Sequence, residues 1–204
     1  MTGAAATVEN EEGRVRSSIL QATVALLQER TLDELSVAQI LDEAGVARAT
    51  FYHYFASKDD AFVALLSDYL EHYVAEFEAI IGDVARRRVP SSLQAEISSW
   101  LDIPPPRQVV IRSAIEEWPR RPEVREVYLV GQRRLAAALA KAITADRRAG
   151  VAVPSIPAAQ LATGWVWMME RAWYEAVGGA THMGDMPAVR DAVAATLVAA
   201  VYGS

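Results

Sequence analysis

The sequence predicts an all-α chain: a three-helix head carrying a helix-turn-helix, set on a larger antiparallel helical bundle, about nine helices in all. Three observations carry this expectation. Apolar residues recur at helical spacing through long segments, no run alternates with the two-residue period of a strand, and the breaks fall at proline and glycine. The chain has 204 residues, 52% of them hydrophobic and 23% charged, which suffices for one domain or two small ones with a sizeable core.

Met1 to Asn10 is small and polar and is expected to form a disordered arm. A first helix follows from about Glu11 to Glu29, with Ile19, Thr23, Leu26 and Leu27 on one stripe. Thr31 to Leu35 is a connector. Ser36 and Gln39 then have capping-box spacing, and Leu35 with Ile40 can form a hydrophobic staple. That second helix ends at Gly45, where a left-handed terminal residue carries no steric cost. Val46 plugs the turn, and a third helix starts near Ala47. Two short helices joined by a glycine-bearing turn form the helix-turn-helix of DNA readers.

On the third helix Phe51 and Phe55 share the inward face, leaving Arg48, Ala49, Thr50, Tyr52, His53 and Tyr54 for the other sides. A guanidinium can read guanine, a threonine methyl can touch thymine, and hydroxyls or Lys58 can hold phosphates. Ser57 is the expected N-cap of the next helix, where open backbone donors favour an anion.

Thr50-Phe51-Tyr52-His53-Tyr54-Phe55, followed by Ser57-Lys58, resembles the T-[FL]-Y-x-[HYF]-F-x-[ST/N]-K signature of the TetR/AcrR family. With the preceding helix and Gly45-Val46, the similarity covers roughly residues 14–66. It implies that Arg48, Ala49, Thr50, Tyr52, Tyr54 and Lys58 lie at or near DNA. Ser36, Val37 and His53 complete the DNA-facing set. Ala47 stands where the family usually places a capping serine, a loss worth ~1 kcal/mol. Ala49 brings no polar group to a base edge.

The overall charge is −6, and residues 1–60 hold five Lys/Arg against ten Asp/Glu. Positive charge near DNA must therefore be local: Arg48 and Lys58, with Arg14 and Arg16 as further phosphate candidates. Few neutralised phosphates imply modest affinity and a shallow salt dependence.

A long helix is expected from about Lys58 to Ile81, with Asp59 and Asp60 at its positive end. Asp68, His72 and Glu76 are spaced like metal ligands, but no partner motif accompanies them, and a solvated face is preferred. His53 and His182 add no ligand cluster. Arg86-Arg87-Arg88 reads as a solvated loop before Pro90. Further helices are expected at about Ser92–Leu101, Arg107–Trp118, Glu123–Arg148, Pro157–Val177 and Pro187–Tyr202, each bounded by proline or glycine. The domain division is 1–56 for DNA binding, with 1–10 disordered, and 57–204 for ligand binding and dimerisation.

From Ala158 to Val177 the only charges are Glu170, Arg171 and Glu175, so burial on more than one side is expected. The last helix offers a small-residue face of Ala188, Val189, Ala192, Val193, Ala195, Thr196, Ala199 and Ala200. Both features fit a homodimer through the last two helices, whose paired heads would read half-sites on a double-stranded DNA operator. Large side chains gather elsewhere: Trp100, Ile103, Ile111, Ile115, Trp118, Leu135, Leu139, Trp165, Val166, Met168, Met169, Trp173 and Tyr174. By composition alone this is equally a filled core or an apolar pocket.

Residues 112–204 look like the ligand-binding half of the ethionamide-resistance-repressor branch of the family. The similarity rests on Asp146-Arg147-Arg148-Ala149-Gly150, the Glu170-Arg171 pair and the terminal Val201-Tyr202-Gly203. It implies an apolar tunnel for a small hydrophobic effector, lined by Ile97, Trp100, Leu135, Leu139, Val166, Met169, Glu170, Trp173 and Tyr174. Where the branch has two ligand-binding asparagines, this chain has Val166 and Met169, leaving Glu170 or Tyr174 as polar anchors.

The chain lacks cysteine, which excludes disulfides, thiolate metal sites and cysteine nucleophiles. There is no G-x-S-x-G, G-x-G-x-x-G, P-loop or H-E-x-x-H, and Glu116-Glu117 reads as an adjacent pair on an exposed helix. Neither an enzyme nor a cofactor is expected. Residues 1–12 lack a signal-peptide pattern, and no run nears the roughly 18 apolar residues of a membrane span, so a cytoplasmic location without a membrane partner is expected. The reading is therefore a DNA-binding regulator, most simply a repressor released by its effector. Its rivals are an architectural or ligand-insensitive DNA-binding dimer, a dimeric scaffold without DNA binding, and a helical enzyme using Glu170 and Tyr174.

Overall fold

Alanines 4 to 6 extend the first helix well before Glu11: in the computed structural model α1 spans Thr2–Leu27, in place of the expected disordered arm. Alanine has the strongest intrinsic helix preference, which explains the extension. The structure describes residues 2–154, 156–179 and 184–203, without the side chains of residues 2–12 and Arg86; His182 lies outside the described residues. Among the described residues the elements are all helical: α2 Val37–Ala44, α3 Arg48–Tyr54, α4 Lys58–Gly82, the single turn α5 Val84–Arg87, α6 Pro90–Trp100, α7 Pro105–Glu117, α8 Pro122–Arg148, α9 Ala158–Val177 and α10 Met186–Tyr202. Prolines open α6, α7 and α10, where a missing N–H costs nothing.

The chain forms two compact units, and their limits differ from a division at residue 56. The first comprises residues 1–69 and 104–127; the second comprises 70–103 and 128–204. The reason for the first grouping is packing: α7 lies against α1, burying Val109, Val110 and Ala114. Helices α4 and α8 each contribute residues to both units.

In the first unit the core joins Ile19, Leu20 and Ala22 of α1 to Ile40, Phe51, Phe55 and Ala61. Glu117, expected on an exposed helix, is buried, because it accepts from Arg120 at 2.9 Å and Arg121 at 2.8 Å. Arg121 also pairs with Asp59 at 2.8 Å and with Asp33, fastening the end of α7 to the loop before α2 and to the start of α4.

In the second unit α10 packs on α6 and α9. The Trp165 indole N–H donates to the Val193 carbonyl at 3.1 Å, and Ser98 donates to Asp191 at 2.5 Å. Arg87 is not in a solvated loop but is 5% exposed. Its Nε and Nη2 donate to the two oxygens of Asp146 at 2.7 and 3.1 Å, its Nη1 donates to Ile81 O, and Tyr202 Oη donates to Asp146 at 2.8 Å. Arg87, Asp146 and Tyr202 thus tie α5, α8 and α10 together. No helix among the described residues is long and apolar enough to cross a membrane.

Candidate nucleic-acid interface and ligand-holding core

The turn between α2 and α3 is built from local chemistry. Ser36 caps α2: its hydroxyl accepts from Gln39 N at 3.3 Å, and Gln39 Oε1 accepts from Ser36 N at 2.8 Å. Gly45 terminates α2 at φ 65°, a left-handed conformation that a Cβ would strain. Ala47 precedes α3 with no side-chain cap. Phe51 and Phe55 face inward, their rings 5.8 Å apart, and hold α3 against α1 and α2.

What α3 turns outward is Arg48, Ala49, Tyr52 and His53, with Thr50 half-buried. Tyr52 stands 47% exposed, braced edge-on by Phe51 at 5.5 Å. Tyr54 is different: its ring packs on the head core and meets His53 edge-on at 4.9 Å. Val37 is likewise partly buried against that core, and the Ser36 hydroxyl is engaged in its cap. The outward set is therefore centred on Arg48, Ala49, Tyr52 and His53.

Lys58, expected at a phosphate, has its ammonium engaged within the chain. Its Nζ donates to the carbonyls of Leu32 at 2.7 Å, Asp33 at 3.0 Å and Leu35 at 2.6 Å, using all three of its donors on the loop before α2. The start of α4 is also occupied: Ser57 Oγ accepts from Asp60 N at 3.1 Å, and Asp60 accepts from Ala56 N at 3.1 Å. Local spacing cannot reveal a partner more than twenty residues upstream. Arg16, a further phosphate candidate, pairs with Asp68 at 2.8 Å, while Arg14 is exposed.

In the second unit Ile97, Trp100, Leu135, Leu139, Val166, Met169, Glu170 and Trp173 are all buried, with Tyr174 half-buried beneath Arg171. Ile111 and Ile115 lie on α7, which is grouped with the first unit. Trp100 stacks on Tyr73 at 4.2 Å, lies 4.6 Å from Phe77 and donates its indole N–H to Tyr73 O at 3.0 Å. A half-open cleft of about 540 Å³ lies between the end of α4 and α8, lined by Glu78, Ile81, Arg87, Arg134, Lys141 and alanines; none of the ligand candidates borders it. A cavity of about 90 Å³ between α8 and α9 touches one of them, Val166.

A buried polar chain runs through this core. Gln132 Nε2 donates to Tyr128 Oη at 2.7 Å, and Tyr128 donates to Glu170. Tyr128 and Gln132 were absent from the expected set. Their signal is a helical stripe, Tyr128, Gln132, Leu135 and Leu139, with a polar pair among apolar residues. Burial raises the Glu170 carboxyl above its usual range, against the opposing pull of Arg171 and the Tyr128 hydroxyl. The folded chain therefore holds this proton more tightly than the unfolded chain, and stability falls as pH rises from about 4.3 through the raised folded value. Glu170→Gln keeps an acceptor for Tyr128 and is expected to melt above the wild type at about pH 7.5, the gap closing near pH 4. Thermal unfolding followed by circular dichroism checks this; a pH-independent gap would contradict it.

Residues 19–65 match the family described as "Bacterial regulatory proteins, tetR family", and residues 93–203 match "Transcriptional regulator EthR, C-terminal domain". The HTH-type transcriptional regulator EthR of Mycolicibacterium smegmatis is 28% identical over 158 residues, covering 76% of this chain and 71% of the relative. EthR of Mycobacterium tuberculosis is 26% identical over 186 residues, covering 91% and 86%. Among solved structures, a TetR transcription regulator from Haloarcula marismortui superposes with a TM-score of 0.74 at 19% identity, covering 93% of this chain and 98% of the other. The fatty acid degradation regulator FadR from Bacillus halodurans does so at 0.73 and 17%, covering 90% and 94%.

Proposed function

Because this chain belongs to the TetR family of bacterial regulatory proteins and carries the EthR-type C-terminal domain, we propose that it is a repressor whose α3 reads a palindromic operator and whose second unit holds a small apolar effector. The protein is a helix-turn-helix transcriptional regulator. The observation that carries the DNA reading is the outward face of α3, where Arg48, Ala49, Tyr52 and His53 project while Phe51 and Phe55 anchor the other side. A guanidinium there suits guanine in the major groove, and Tyr52 suits a phosphate.

Members of the family act as dimers on operators, and here the pairing is assigned to α9 and α10. Thr163 and Gly164 of α9 and Ala188, Ala192, Thr196 and Ala199 of α10 are exposed in one copy and small enough for close helix approach, and Met168 adds an exposed apolar side chain; Val189 and Val193, on the expected face, instead fill the core. An effector in the second unit would act through α4, which begins in the head and ends in the bundle. Effector and operator then weaken each other by one factor, typically 5–150-fold.

The test is a gel-shift titration on DNA upstream of the gene. Arg48→Ala is expected to raise Kd by roughly 5–150-fold, the effect of losing one bidentate base contact. Tyr52→Phe should weaken all fragments by a similar small factor, because a phosphate contact carries no sequence information. Unchanged affinity in Arg48→Ala would remove α3 from the groove.

A further inference from the structure

The polar groups buried in the second unit do not balance. Glu170 is more than nine-tenths buried, and its donor is the Tyr128 hydroxyl. Tyr128 in turn receives the Gln132 amide N–H, which leaves the Gln132 side-chain oxygen buried without a donor. One turn along α9, the indole N–H of Trp173 is buried without an acceptor. Arg171 does not neutralise the carboxylate directly: it is exposed, lies over the Tyr174 ring and pairs with Glu175 at 3.3 Å. A carboxylate offers about four lone-pair sites and an amide oxygen two, so acceptors exceed donors at this point of an otherwise apolar core. An unmatched buried polar atom is costly, and a buried charge more so.

Resting on the effector reading above, we infer that the effector is an apolar amine, its ammonium group held by Glu170 and the Gln132 side-chain oxygen. An ammonium carries two or three N–H donors and the charge that the carboxylate lacks, which is the complement this site needs. A carboxylate or phosphate ligand would meet like charge and lone pairs, and an alcohol would supply a single donor. The hydrocarbon body lies along Val166 and Met169, buried apolar neighbours of Glu170 on α9. Gln132 and Val166 already border the small cavity between α8 and α9, and the unbranched Met169 can rearrange to extend it. The Trp173 N–H supplies a place for an ether or hydroxyl oxygen on the same molecule.

The experiment titrates the full chain with 1-aminooctane, 1-octanol and octanoate at neutral pH, by tryptophan fluorescence and calorimetry. The amine is expected to bind tighter than the alcohol by roughly tenfold or more, with octanoate weakest. Glu170→Gln is expected to erase the difference between amine and alcohol. Equal binding of amine and alcohol to the wild type, or an amine preference that survives Glu170→Gln, overturns the inference and leaves the effector core standing. Binding of none of the three overturns the effector core and the inference together. The wild-type comparison decides even if the variant does not fold.

Discussion

Asp146→Ala is expected to lower the unfolding free energy by about 3–5 kcal/mol in urea titration, the largest loss foreseen for any single substitution here. Arg87 and Asp146 meet through two parallel hydrogen bonds, both residues 5% exposed, and Tyr202 adds a third bond to the same carboxylate. The hydrogen bonds to Asp146 raise the Arg87 guanidinium above its ordinary value, and a guanidinium is basic enough to keep its charge even when that partner is removed. Removing Asp146 therefore strands a cation away from water without its carboxylate, leaving the hydrogen bond to the Ile81 carbonyl. The double replacement Arg87→Leu/Asp146→Leu should recover most of that loss, since a buried pair gains little over packed hydrocarbon. Tyr202→Phe should cost about 1.5–3 kcal/mol, one hydrogen bond to a charged group. A loss below about 1 kcal/mol in Asp146→Ala would mean that water reaches Arg87 freely.

Lys58→Met is expected to destabilise the protein by about 2–3 kcal/mol, because one ammonium closes three carbonyls of the loop leading into α2. The figure is kept below the sum of three charged hydrogen bonds because the site is half-exposed and the carbonyls partly regain water. The same variant separates structure from recognition. If Lys58 neutralises no phosphate, the slope of log Kd against log salt stays at its wild-type value in Lys58→Met. In Arg48→Ala the slope falls by about one if that guanidinium pairs with a phosphate, and Kd alone changes if it reads a base. A shallower slope in Lys58→Met would return Lys58 to the DNA backbone.

These two residues mark where sequence reasoning stops. The capping box of Ser36 and Gln39, the glycine stop at residue 45 and the inward pair Phe51 and Phe55 were legible because each interaction closes within four or five residues. Proline placement likewise set the starts of α6, α7 and α10 to within a few residues. The carbonyl partners of Lys58 and the carboxylate partner of Arg87 were not legible because they lie 23 to 26 and 59 residues away, where chain spacing carries no information and only packing decides. The ligand candidates show the same divide. Buried apolar positions on α9 followed from helical period, whereas Ile111 and Ile115 fell to the first unit because α7 packs on α1. The Tyr128, Gln132 and Glu170 chain needed two helices brought side by side.

The withdrawal of Lys58 into carbonyls, together with the pairing of Arg16, bears on how the protein finds its target. With an acidic total and few outward cations beside α3, bulk chromosomal duplex is a weak competitor for it. Binding to random duplex is then expected to be weak, which a titration on DNA of unrelated sequence at low salt checks. Discrimination must come from base edges and groove shape, since ionic grip contributes little to telling one stretch of chromosome from another.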